Sequence, residues 1–284
     1  MSYIKTASGV NLFYEDWGTG QPVVLIHGWP LSHEMWEAQL TELPQQGLRC
    51  IAYDRRGFGK SSKPWQGYDY NTLADDLKAV LEELDLNDVT LVGFSMGGGE
   101  VVRYLSKYGS ARVSKAVLLG AVTPFLLKTA DNPNGAPQEV FNGMIEKIRE
   151  DRPAFLADFG KQFFGVSLLS HPVSQEMLDW CRVLALHASP RATIDCVRSF
   201  GMTDFRLDMP KVDVPTLIIH GSADQTVPIE ASGNQSAKMI PGAKYIVYDG
   251  APHGFYLTEK ERLNQDLLAF IKAPASQPST ASAY

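Results

Sequence analysis

The chain is poor in cysteine, in positive charge and in long apolar runs, and each shortage removes a class of protein. It has three cysteines in 284 residues, Cys50, Cys181 and Cys196. Their number is odd and no C-x-x-C occurs, which argues against a disulfide framework. The 26 basic residues are outnumbered by 32 acidic ones, giving a net charge of −6, and there is no long basic run. A nucleic-acid partner therefore has no electrostatic support. No apolar stretch is long enough to span a bilayer, so no membrane partner is expected. The opening MSYIKTASGV has no basic segment followed by an apolar run, so no signal peptide is read and a reducing cytoplasm is the expected location. Neither H-E-x-x-H nor a paired His/Asp spacing occurs, so no metal is expected. What is present fits a large globular unit. Hydrophobic residues make up 44% of the chain, enough at this length to bury a core with a pocket inside it.

YIKTASGVNLFYEDWG reads as two alternating strands turned at Ser8-Gly9, an antiparallel start. Short, nearly continuous apolar runs follow at 22–29, 49–54, 88–94, 113–120, 215–221 and 244–250. Runs of this kind mark strands buried on both faces. Helical patterns separate them. In 72–84, Leu73, Leu77, Val80, Leu81 and Leu84 recur at helical spacing. Thr72 with Asp75 resembles a capping box with Asp in the Glu place. Segments 96–108 and 258–272 read as further helices. Strands alternating with helices predict an α/β unit: a mostly parallel eight-stranded sheet with helices on both faces. The alternation lapses once. Residues 122–210 hold helical and aromatic patterns but no buried strand, and read as a helical cap inserted above the carboxyl edge of the sheet. The core is then 1–121 with 211–273, and the small, polar 274–284 reads as a disordered tail.

The stretch LVGFSMGGGE (91–100) carries the chemistry. Gly93-Phe94-Ser95-Met96-Gly97 matches G-x-S-x-G between an apolar strand and a helix, the context of a nucleophile elbow. A tight strand-to-helix turn brings backbone segments together, and glycine on either side of Ser95 removes side chains that would clash. A serine hydroxyl is a weak nucleophile and needs a base. Of six histidines, His27 and His220 stand at strand ends beside glycine and are read as hydrogen-bonding a loop. His33, His171 and His187 fall in or beside helices. His253, in YDGAPHGFY, lies after the last strand and before the last helix, where a Ser…Asp…His order requires it. The acid must follow a late strand, and Asp224 follows PTLIIHG. Asp204, Asp208 and Asp213 precede that strand, and Asp249 reads as a loop anchor. A buried Asp224 would fix the imidazole tautomer and stabilise its charged form. The oxyanion hole needs backbone N–H donors. Met96, next after the nucleophile, and Trp29, in the loop after VVLIHG, are the candidates. Pro30 restricts where the Trp29 carbonyl points.

These residues resemble the α/β-hydrolase family over nearly the whole chain apart from the tail. Within it, VVLIHGWPLSHEMWE, IAYDRRGFGKSSKPWQGYDYNTLADDL, LVGFSMGGGEVVRYLSKYG and TLIIHGSADQTVPIE are similar to the cofactor-free bacterial haloperoxidases, or perhydrolases, and their aryl esterase relatives. The resemblance implies the α/β-hydrolase fold, a catalytic triad of Ser95, Asp224 and His253, and ester hydrolysis through an acyl-enzyme on Ser95. It also implies that hydrogen peroxide can replace water in deacylation, giving a peracid that oxidises halide without haem or metal. Trp29-Pro30 is similar to members with perhydrolase character, in which the carbonyl before the proline accepts a hydrogen bond from peroxide.

The partner expected on these grounds is a small uncharged ester, lactone or lactam, with hydrogen peroxide as co-substrate. Phe94 and Phe125, beside the elbow and a strand end, are read with Pro30 as pocket walls. Phe155, Phe159 and Phe163, at i, i+4 and i+8, are read as core packing, in a core that includes the mouth above Ser95. Asp54, Arg55, Arg56 and Lys60 in DRRGFGKS are read as loop-fixing ion pairs and hydrogen bonds. Two other readings stay open: a lactonase or γ-lactamase using the same residues, and a non-catalytic ligand receptor on the same scaffold. A homo-oligomer also stays open.

Overall fold

The computed structural model describes residues 2–274. The tail expected at 274–284 lies, from residue 275 onward, outside them. The chain opens with antiparallel β1 (Tyr3–Lys5) and β2 (Asn11–Trp17), with Ile4 opposite Leu12. Gly9, at φ 80, takes the left-handed turn position between them. The apolar runs form β3 (Gln21–Ile26), β4 (Leu48–Tyr53), β5 (Val89–Phe94), β6 (Val113–Leu119), β7 (Thr216–Gly221) and β8 (Lys244–Tyr248).

The strands make one sheet in the order β1-β2-β4-β3-β5-β6-β7-β8, and every pairing from β4 to β8 is parallel. β5 and β7 are buried at every position, as their lack of polar alternation requires. β3 lies between β4 and β5, so the winding direction reverses there. The crevice beyond the carboxyl ends of β3 and β5 is the topological switch point, where open α/β sheets bind ligands.

Strand side chains alternate between two cores. Val24, Ile26 and Leu91 pack with α2 (Tyr70–Glu83) and α3 (Met96–Tyr108). Val23, Leu25 and Val92 pack on the opposite face with Trp36, just before α1 (Glu37–Glu42), and with Leu263 and Leu267 of the last helix. α2 starts two residues before the expected position. Asp69 is its cap, accepting the Thr72 N–H at 3.1 Å, so the expected Thr72–Asp75 box does not form. Asp75 pairs with Lys107 instead. The buried Tyr70 ring extends the apolar face by one turn and moves the helix start.

Between β6 and β7 come α4 (Gln138–Phe163), α5 (Gln175–Leu186) and α6 (Pro190–Met202), and among the described residues no strand longer than an isolated bridge. α4 breaks at Asp151 (φ −151°, ψ 89°). The Asp151 carboxylate caps the second half by accepting the Ala154 N–H at 2.9 Å, and Pro153 sits in that first turn, where no N–H is needed. The chain closes with α7 (Gly233–Met239), β8, α8 (Phe255–Thr258) and α9 (Lys260–Lys272). Among the described residues no helix is long and apolar enough to cross a membrane.

Candidate active site

Ser95 sits between β5 and α3 at φ 53°, ψ −116°. This conformation costs a non-glycine residue about 1–3 kcal/mol and persists only when its surroundings enforce it. The Ser95 N–H donates to the Leu119 carbonyl at 2.8 Å, tying the elbow to β6. A Cβ on Gly93 would collide with the Gly97 carbonyl, and one on Gly97 would lie 2.5 Å from the Ile26 carbonyl. The motif glycines are therefore required by close backbone approach. Beyond them, a Cβ on Gly98 would meet Ala121, and one on Gly99 would lie 2.6 Å from the Tyr70 ring. The run of glycines thus lets α3 settle onto its neighbours.

The three separated loops converge. His253 Nε2 lies 3.0 Å from Ser95 Oγ, and His253 Nδ1 lies 2.6 Å from Asp224 Oδ2. All three residues are buried, with Ser95 6% exposed. The other carboxylate oxygen, Asp224 Oδ1, accepts the N–H groups of Thr226 and Val227 at 2.9 and 2.8 Å. Burial alone would push the Asp224 carboxyl up. The His253 charge and the hydrogen bonds from His220 and His253 outweigh it and hold the carboxyl well below the usual range. The His253 ring is wedged between Phe94 and Phe163, at centroid distances of 4.9 and 4.8 Å. Asp249 accepts from the Ser222 hydroxyl at 3.0 Å, in the loop-anchoring place read for it.

Met96 is the first residue of α3, so its N–H has no helical partner. The Trp29 N–H and C=O have no backbone partner among the described residues. Trp29 and Ser95 both line a cavity of about 610 Å³ between the sheet and the cap. Below them, DRRGFGKS forms the ion pairs read for it. Arg55 pairs with Glu100, and Arg56 with Asp76 at 2.6 Å. Asp54 takes the His33 ring at 2.8 Å and the Lys60 N–H at 2.8 Å.

The pocket walls differ from expectation. Phe94 does not line the cavity. It is fully buried beneath the site, packed on Trp36, His253 and Tyr256. Phe125 does not line it either, and the Arg206 guanidinium covers its ring. Pro30 borders a separate small crevice with Leu31 and Phe163. The aromatic lining comes from Trp29, Phe141, Phe155, Phe159 and Phe200. The stripe read as core packing is thus partly the wall, because the second half of α4 lies across Trp29, with Phe159 5.1 Å from the indole. The i, i+4 spacing signalled these residues but not which side faces the mouth. Glu100 and His220 were not singled out as partners. His220 Nε2 approaches Asp224 at 3.3 Å. Among the described residues no cluster of three His, Cys, Asp or Glu side chains could hold a metal ion.

Comparison with known proteins agrees with this architecture. The family profile described as alpha/beta hydrolase fold matches residues 21–260. The chain is 45% identical to the non-heme chloroperoxidase CPO-A1 of Kitasatospora aureofaciens, covering 95% of this chain and 99% of that one. It is 42% identical to the bifunctional esterase/perhydrolase DCH of Acinetobacter calcoaceticus, over 96% and 100%. The crystal structure of a bromoperoxidase from Bacillus anthracis superposes with a TM-score of 0.93 at 47% identity, over 96% and 99%. On sheet order, elbow and likeness over nearly its whole length, the chain belongs to the α/β-hydrolase fold family of enzymes.

Proposed function

We propose that the protein hydrolyses small uncharged carboxylic esters through an acyl-enzyme on Ser95, and that hydrogen peroxide can replace water as the deacylating nucleophile. The observation that carries this reading is the line from Asp224 through His253 to Ser95 Oγ, at distances of 2.6 and 3.0 Å, opening into a largely apolar cavity. His253 Nε2 takes the hydroxyl proton as Oγ attacks the ester carbonyl. The oxyanion is received by the N–H groups of Trp29 and Met96. His253 then protonates the departing alkoxide, and Asp224 stays ionised to balance the imidazolium. Water or peroxide attacks the acyl carbon, His253 takes its proton, and Oγ leaves with that proton. The products are the acid or the peracid, and peracid with bromide gives acid and hypobromite. The relatives named as esterase/perhydrolase and non-heme chloroperoxidase support the peroxide branch, as does the Trp29 carbonyl before Pro30, which has no backbone partner among the described residues. The cap, taken as 122–210, sets the acyl and alcohol groups that fit.

The test is turnover of p-nitrophenyl acetate, with and without peroxide and bromide. Ser95→Ala should lower kcat by several orders of magnitude while leaving the melting temperature close to that of the parent. Hydrolysis that survives this change would remove Ser95 as the nucleophile. Lactones and lactams run in the same panel separate an esterase from a lactonase.

A further inference from the structure

The oxyanion loop rests on a buried histidine that the acyl-transfer steps do not use. His27 is fully buried at the carboxyl end of β3. Its Nε2 lies 2.9 Å from the main-chain N–H of Arg55, and its Nδ1 lies 2.9 Å from the Gly28 carbonyl. A main-chain N–H can only donate, so Nε2 is the acceptor and the ring proton must be on Nδ1. Arg55 Nη1 lies 3.3 Å from Nδ1, but it meets a nitrogen that already carries hydrogen, so this contact is not a hydrogen bond. The ring is held neutral as well. Burial and the adjacent Arg55 charge pull its pKa down to about 3.

The carbonyl that His27 holds belongs to the same planar peptide unit as the Trp29 N–H. In a trans peptide the two groups point in opposite directions, so fixing one aims the other. Gly28 O accepts from His27 Nδ1 at 2.9 Å and from the Leu31 N–H at 3.0 Å. We propose that His27 is the positioning residue for the oxyanion hole: locked by Arg55 in the Nδ1–H tautomer, it aims the Trp29 N–H by gripping the carbonyl of that unit. This inference rests on the reading of Trp29 as an oxyanion donor.

The lock extends to the other half of the hole. Arg55 Nη2 donates to the His27 carbonyl at 2.6 Å, and Arg55 Nε pairs with Glu100. Glu100 also accepts from the Tyr53 hydroxyl at 2.9 Å. Glu100 stands four residues after Met96 on α3, one turn below the second donor. One buried pair thereby ties the loop after β3 to the helix that carries the nucleophile. A pair with both partners about 1% exposed costs desolvation and is weak as a source of stability, which fits a role in geometry.

Two substitutions separate aiming from plain bracing. His27→Asn puts an amide NH₂ near the place of Nδ1 and keeps the donor to Gly28. His27→Gln puts a carbonyl near the place of Nε2 and keeps only the acceptor for Arg55. The expected result is that His27→Gln lowers kcat on p-nitrophenyl acetate about tenfold or more, with KM within about threefold, because loss of an oxyanion donor outright costs about 10²–10³. Its affinity for a boronic acid that forms a tetrahedral adduct at Ser95 should fall by a similar factor. His27→Asn should recover most of both losses. Equal activity or equal impairment of the two variants would overturn the proposal. Should neither variant fold, nitrogen NMR of the parent imidazole decides: protonated Nδ1 and bare Nε2 from about pH 5 to 9 are expected, and a proton on Nε2 or a titration in that range overturns it. Ser95→Ala runs alongside. If that variant stays active, the acyl-enzyme reading has failed rather than the role of His27.

Discussion

Asp224→Asn alters a single atom in volume terms, yet the surrounding hydrogen bonds decide how the new amide must sit. Oδ1 accepts two main-chain N–H groups, from Thr226 and Val227, at 2.9 and 2.8 Å. An NH₂ at that position would face two donors, so the amide oxygen must stay there. The NH₂ is then forced against His253 Nδ1, where Oδ2 now lies at 2.6 Å. It donates to Nδ1 and drives the ring proton to Nε2. Nε2, 3.0 Å from Ser95 Oγ, becomes a donor and can no longer accept the hydroxyl proton. A wrong tautomer of this kind costs about 10⁴ in kcat, or about 5 kcal/mol of barrier. The assay is steady-state hydrolysis of p-nitrophenyl acetate with thermal melts of both proteins, and KM should change little. Activity within about tenfold of the parent would refute the reasoning, as would greater damage from Asp249→Asn. A pH consequence follows with a fixed sign. A carboxyl depressed in the folded state stabilises it above the unfolded pKa, about 3.9, and that contribution is lost as pH falls toward the folded value. The variant should therefore lose less stability than the parent when acidified through that range.

Pro30→Leu should lower the ratio of peracid to acid formed from the same ester in peroxide, and an unchanged ratio would remove the proline from the peroxide branch. Lys115→Met should lower stability in urea by about 2 kcal/mol, because the ammonium donates to the carbonyls of Phe270, Ile271 and Ala273 at 3.0, 2.6 and 2.6 Å and ties the end of α9 to β6. Esterase turnover in this variant should match the parent below the unfolding transition. Burial pushes the thiols of Cys50 and Cys196 up to about 12 and that of Cys181 to about 11. Iodoacetamide at neutral pH should therefore leave the folded protein unlabelled and fully active, and label it after denaturation.

Most of the sheet was legible because the central strands β3 to β7 are largely buried on both faces and so appear as apolar runs, whereas β8, read the same way, is an edge strand in which only Tyr248 is buried. The elbow was legible because Gly93, Ser95 and Gly97 meet a local steric demand written within five residues. Ser95, Asp224 and His253 were readable from the elbow motif, the strand ends and the chain order together, and the structure places His253 within hydrogen-bond distance of both Ser95 and Asp224. Phe94 and Phe125 were misplaced because adjacency to a strand end does not say which face of the turn is open. Phe94 faces down into the core, while Phe155 and Phe159 reach the cavity from a helix more than sixty residues away in sequence. The Arg55–Glu100 pair was half legible. Arg55 sits in a loop rich in charge, but a glutamate on a helix ordinarily faces solvent. Only the packing of α3 against β5 and β6, with the Tyr53 hydroxyl reaching across from the end of β4, makes Glu100 interior.

The glycines that open α3 bear on when the site exists at all. Gly97, Gly98 and Gly99 fall in the first turn, and each is about 1 kcal/mol worse than alanine in a helix. The strained Ser95 adds about 1–3 kcal/mol. Left to itself, this segment would form neither a helix nor an elbow. It takes its shape because Ile26, Ala121 and Tyr70 leave room for nothing larger than glycine. Nucleophilic competence is therefore cooperative with the whole fold. A partly opened chain should be inert rather than sluggish, and the buried amides of Glu100 and Val101, just past this first turn, should exchange with solvent only through global unfolding.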